Sequence, residues 1–154
     1  MQTNIDGLEI FEGALHTAVI YQNWIDSSAQ ANLGASAIFT GIVRSENGCE
    51  GLSFDIYPPL LEQWFLKWAK KALESEVVLK MAHSRGDVLN HQSSYMAGIF
   101  SSQRRATLDI FEEFIEDFKH RAPIWKYDLK NGQRIYAKER SHRLPHSGIL
   151  SDSH

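Results

Sequence analysis

Helical and strand periodicities alternate along this chain in an order that predicts an α+β fold, a single domain in which an antiparallel or mixed sheet packs against helices. Three observations carry that expectation. Two amphipathic stripes, one over residues 61–73 and one over 103–121, repeat at helical spacing. Short runs of β-branched and aromatic residues recur around them. Near the C-terminal end the pair Asn131-Gly132 marks a tight hairpin, a connection open only to antiparallel strands. At 154 residues the chain is one domain by length, able to bury a core without metal or disulfide staples.

Each element has its own signal. Residues 14–25 carry Leu15, Ala18, Val19 and Ile25 at helical spacing, and the polar stretch 26–32 reads as a loop. Residues 34–43, Gly-Ala-Ser-Ala-Ile-Phe-Thr-Gly-Ile-Val, suit a strand that ends at Arg44. A loop over 45–51 follows, holding Gly48 and Gly51. In residues 52–57, Leu52, Phe54 and Ile56 alternate with Ser53 and Asp55, the period of a strand with one buried face. Pro58 and Pro59 stop it and suit a helix entrance, where a missing N–H does no harm. The helix then presents Leu61, Trp64, Phe65, Trp68, Ala72 and Leu73 along one stripe, with Lys67, Lys70 and Lys71 off it.

Residues 76–82 and 95–100 are further strand candidates, separated by a polar loop over 83–94. Ser101 and Ser102 are candidate caps for a helix over 103–121, where Ala106, Ile110, Phe114 and Phe118 recur every fourth residue beside Phe111 and Ile115. Pro123 stops it. Residues 124–128 and 133–138 flank the Asn-Gly turn. The domain is expected to span 1–146, with a polar, flexible tail over 147–154.

Hydrophobic content of 43% and charged content of 23% describe an ordinary soluble globule. A net charge of -3 argues against a general nucleic-acid binder, so any anion site has to be local. Cys49 is the only cysteine, which excludes an internal disulfide or a multi-cysteine zinc site and fits a reducing compartment. The apolar runs are too short to span a bilayer and the N-terminus has no leader pattern, so a cytoplasmic protein is expected, without membrane or nucleic-acid partners.

No glycine-rich phosphate loop, nucleophile elbow or zinc-binding HExxH is present. His142 and His146 sit four apart, but Pro145 spoils a regular helix face there, and no metal is expected. Positive charge is more informative. Lys119-His120-Arg121-Ala122-Pro123-Ile124-Trp125-Lys126 sets four cations around a proline and a tryptophan, holding charge beside apolar surface as a pocket for an anion would. The alternative is a helix C-terminus whose Lys and Arg complement the backbone dipole. Arg44 sits at a strand end, and Lys138 with Arg140 follows the hairpin. Arg104 and Arg105 open a helix, where cations oppose the dipole and call for another reason, such as a bound anion. Cys49 lacks a recognisable His or Asp partner, which favours an inert loop thiol over a nucleophile or persulfide carrier.

Together these segments resemble the large, catalytic subunit of molybdopterin synthase, the MoaE family. The resemblance rests on the strand 34–43 with Arg44, on Ser101-Ser102-Gln103-Arg104, and on Lys119 through Pro123-Ile124-Trp125-Lys126 ahead of a hairpin. It implies an α/β-hammerhead-like α+β fold and a sulfurtransferase of molybdenum-cofactor synthesis that needs no cofactor of its own. In that family a small ubiquitin-like subunit brings sulfur as a C-terminal Gly-Gly thiocarboxylate. Two such sulfurs convert cyclic pyranopterin monophosphate to molybdopterin. A homodimer within a heterotetramer is implied too. By the same resemblance Lys119 and Lys126 would be catalytic, and Arg44, Gln103, Arg104 and Arg140 would bind substrate, with Lys138 competing for the last role. The chemistry agrees, because two anions share one pocket only where fixed cations offset their repulsion.

The sequence departs from the family in places. Gln103 stands where the family usually has a histidine, and it cannot exchange protons near neutral pH. The usual His-Arg pair before Gly appears as His83-Ser84-Arg85-Gly86, and the later Gly-Glu as His91-Gln92. Two other readings follow: a diverged paralogue that docks a ubiquitin-like subunit without turnover, and an unrelated phosphate-binding domain.

Overall fold

The computed structural model describes residues 5–137. Among them run β1 (Leu8–Glu12), α1 (Thr17–Gln30), β2 (Ala35–Ile42), β3 (Gly51–Ile56), α2 (Pro58–Glu74), β4 (Val78–Leu89), β5 (Ser93–Ser101), α3 (Arg104–Arg121), β6 (Ile124–Lys130) and β7 (Gln133–Tyr136). The strands form one sheet in the order β2-β5-β4-β3-β6-β7, with β1 also on β4. All pairings are antiparallel except β1 with β4, so the sheet is mixed, as the α+β reading allows. Lys138, Arg140, His142, His146 and the expected tail lie outside the described residues.

The sheet is covered on both faces. Along β5 successive side chains point to opposite faces. Tyr95, Ala97 and Ile99 join a core with Leu61 and Phe65 of α2 and Ile110 and Phe114 of α3, whereas Met96 and Phe100 pack with Ile20 and Trp24 of α1. Every residue of β5 is therefore buried. At Gly98 a Cβ would lie 2.6 Å from the Phe100 ring and 2.8 Å from Trp24, so only glycine lets α1 approach this closely. The hairpin turn is as expected, with Asn131 at φ 52° and Gly132 at φ 71°, both left-handed.

α2 and α3 are tied by more than apolar contact. The Asp117 carboxylate of α3 accepts hydrogen bonds from the indole N–H groups of Trp64 (3.0 Å) and Trp68 (2.7 Å). It also pairs with Arg121 at 3.3 Å. Asp117→Ala leaves two half-buried indole donors unmatched and is expected to cost about 2 kcal/mol. Urea denaturation of the variant measures it; an unchanged midpoint would remove Asp117 from the helix–helix joint.

Several boundaries differ from expectation. α1 continues through residues 26–30, expected as loop, because the Ser27 and Ser28 hydroxyls donate to Trp24 O and Ile25 O and so turn inward on the helix. β4 runs on through residues 83–89, also expected as loop. Its polar side chains have strand partners: Arg85 Nε donates to Glu12 at 2.8 Å, and Asp87 accepts from Ser53 Oγ at 2.6 Å. Leu73, placed on the apolar stripe of α2, is exposed, whereas its neighbour Ala72 in the same last turn is fully buried in the core. Neither candidate serine caps α3. Gln103 is the N-cap and makes no side-chain cap bond, while Ser101 Oγ donates to Gln103 O at 2.5 Å. β1, not anticipated, shows the alternation that would have revealed it, with Leu8 and Ile10 buried.

Candidate active site

A cleft of about 820 Å³ opens where the C-terminal turns of α3 pass over the ends of β2, β3 and β6. Gly41, Ile42 and Val43 come from β2 and its extension, Gly51, Leu52 and Phe54 from β3, and Ile124, Lys126 and Asp128 from β6, the last three at the two-residue spacing of one strand face. Ile115, Phe118 and Lys119 face them from α3. Ala122 and Pro123, both buried, end the helix and turn the chain into β6, which is how Lys119 and Lys126 come to line one space.

Of the residues singled out by sequence, Arg44, Lys119 and Lys126 all line this cleft. Arg44 is largely exposed and its guanidinium lies 2.5 Å from Glu46. Three carboxylates, Glu46, Glu116 and Asp128, share the lining with the three cations among the described residues. Gln103 and Arg104 are elsewhere. They sit exposed at the opposite end of α3, where Arg104 is fifteen residues before Lys119 and thus about 22 Å from it along the helix axis. Arg140 and its competitor Lys138 fall outside the described residues. Among the described residues no cluster of His, Cys, Asp or Glu could hold a metal, and no helix is long and apolar enough to cross a membrane.

Cys49, read from sequence as an inert loop thiol, also lines the cleft, with Sγ 4.0 Å from Asn47 O. His83 of β4, noted in sequence only as part of a displaced family motif, and Tyr95 of β5, which no motif marked, line it too, both buried. His83 Nδ1 lies 2.7 Å from Ser84 O; a carbonyl only accepts, so this nitrogen carries the proton. Its ring meets Phe54 edge-on at 4.9 Å. Tyr95 stacks on Phe118 with centroids 3.8 Å apart and planes 4° from parallel. No local motif marks these residues as a set, because β-pairing and α3 packing bring together positions far apart in the chain.

Burial pushes the Tyr95 phenol well above its ordinary value of 10.0. The native chain therefore keeps this proton where the unfolded chain loses it, and the contribution, complete below pH 10, is lost as pH rises through the folded value. Thermal unfolding should fall with pH from about pH 10 upward, by at most about 1.4 kcal/mol per pH unit from this group, and Tyr95→Phe should flatten that part of the decline. Identical alkaline profiles for the two proteins would contradict the assignment.

Comparisons with known proteins identify the family and the fold. Residues 14–121 match the family model described as MoaE protein. A molybdopterin synthase catalytic subunit from Helicobacter pylori is 53% identical over 144 residues, covering 94% of this chain and 99% of the relative. A solved complex of subunits 1 and 2 of molybdopterin-converting factor from the same organism contains a chain that superposes with a TM-score of 0.88 at 53% identity, covering 94% of this chain and 99% of that one. Molybdopterin synthase from Staphylococcus aureus shares the fold, with a TM-score of 0.72 at 20% identity over 86% of this chain and 98% of that one. Sequence, architecture and relatives point the same way, and the chain belongs to the MoaE protein family.

Proposed function

We propose that this chain is the catalytic subunit of a molybdopterin synthase, a sulfurtransferase of molybdenum-cofactor biosynthesis that acts in a complex with a small subunit. The observation that carries the reading is the convergence of Arg44, Lys119 and Lys126 on one cleft in a chain 53% identical to a named catalytic subunit over nearly its whole length. The small subunit supplies sulfur from a C-terminal thiocarboxylate, and cyclic pyranopterin monophosphate receives it. Both are anions. Lys119 and Lys126 offset their mutual repulsion at the reacting centre, and Arg44 offers a forked contact to phosphate or carboxylate. The work is done in the cytoplasm.

Gln103 and Arg104 lie a helix length from their own cleft. In a homodimer within a heterotetramer, the assembly the resemblance implies, a second copy's cleft is where Arg104 would meet an anion. Arg140, or Lys138 in its place, belongs to the same proposal.

The test mixes the purified chain, a thiocarboxylated small subunit and the pyranopterin, and measures dithiolene product. Formation of product is the expected result. Binding of the small subunit without product would favour the second reading, a docking paralogue that has lost turnover, which the glutamine at 103 in place of the family histidine supports.

A further inference from the structure

Tyr95 lines the cleft, is 4% exposed, and its hydroxyl has no hydrogen-bond partner. An unmatched buried hydroxyl is unfavourable, and phenylalanine would fill nearly the same volume without it. A group of this kind at the edge of a binding cleft calls for a ligand atom to satisfy it. Its surroundings narrow the kind of atom. The Phe118 ring lies flat on Tyr95, Phe39 is 5.9 Å away and His83 5.8 Å away, centroid to centroid. This part of the cleft is aromatic, whereas Arg44, Lys119 and Lys126 supply its positive charge. A ligand with anionic groups at one end and a flat heteroaromatic ring at the other would lie with its charges on the cations and its ring among the aromatics.

We propose that Tyr95 is a specificity-determining residue that touches the substrate: as the heteroaromatic ring enters, Phe118 moves off Tyr95, and the Tyr95 hydroxyl donates a hydrogen bond to an uncharged nitrogen or carbonyl oxygen on the ring edge. This rests on the reading of the cleft as a pterin site given above. The donor is neutral, so it discriminates a ring bearing an acceptor at that edge from one that does not, a distinction the lysines cannot make. Phe118 directly precedes Lys119 in α3, so the ring that uncovers the hydroxyl and the cation at the reacting centre share one helical turn.

The test is Tyr95→Phe in the assembled enzyme with its thiocarboxylated small subunit, followed as KM and kcat for the pyranopterin and as the thermal unfolding of the chain near neutral pH. KM is expected to rise about tenfold, the loss of one well-made hydrogen bond, with kcat within about twofold of wild type and the unfolding temperature unchanged or higher. An unchanged KM in an active complex would overturn the role of Tyr95 alone. A lowered unfolding temperature with unchanged KM would also overturn it, by showing that the hydroxyl serves the fold. Absence of product from the wild-type complex would overturn the proposed function itself, and this inference with it.

Discussion

Lys119→Ala is expected to reduce dithiolene formation by about 100- to 1,000-fold, the scale set by removing one preorganised charge from a reacting centre. Lys119 is exposed, lies in the last turn of α3 and lines the cleft with Lys126. Truncating it removes no buried contact, and its interaction with the helix dipole is worth only about 0.3–1 kcal/mol. The variant should therefore fold and bind the small subunit with affinity within a few-fold of wild type. Single-turnover assays beside calorimetric titration of the small subunit separate the two quantities. Near-normal turnover would take Lys119 out of the mechanism, and lost partner binding would make it a docking residue instead.

The largest expected effect on stability is at Phe114. Its side chain is fully buried, with ring centroids 5.4 Å from Trp64, 6.5 Å from Phe65 and 5.4 Å from Trp68, all on α2. Phe114→Ala opens a cavity between two helices that the Asp117 bonds prevent from closing up. A loss of about 3–5 kcal/mol is expected, lowering the unfolding temperature by about 6–20 °C. Differential scanning calorimetry reads it directly. A loss under about 1 kcal/mol would mean that the helices collapse onto the gap.

The elements legible in the sequence are those whose signal is local. The stripe of α3, the proline entrance of α2 and the Asn131-Gly132 turn each report a periodicity or a backbone preference within a few residues. Residues 83–89 were illegible as strand because their polar side chains are satisfied by Glu12 and Ser53, far away in the chain. The same division holds in the site. Lys119 and Lys126 were legible as charge gathered around a proline that turns a helix into a strand, and Arg44 as charge at a strand end. Tyr95 and His83 were not, since a tyrosine opening an apolar strand, or a histidine in a stretch that reads as polar loop, becomes notable only once its burial and neighbours are known.

The acidic residues beside the cationic trio have a consequence for discrimination. With Glu46 already against Arg44, and Glu116 and Asp128 along the same lining, the charges that the described residues bring to the resting cleft nearly balance, so they are not an open trap for any passing phosphate. An incoming anion that claims Arg44 displaces Glu46 from it, and a lone inorganic ion has little else to offer in return. A larger guest that also engages the aromatic end can make that exchange favourable. Selectivity against the abundant small anions of a cell would then be a property of the unoccupied protein, present before any substrate arrives.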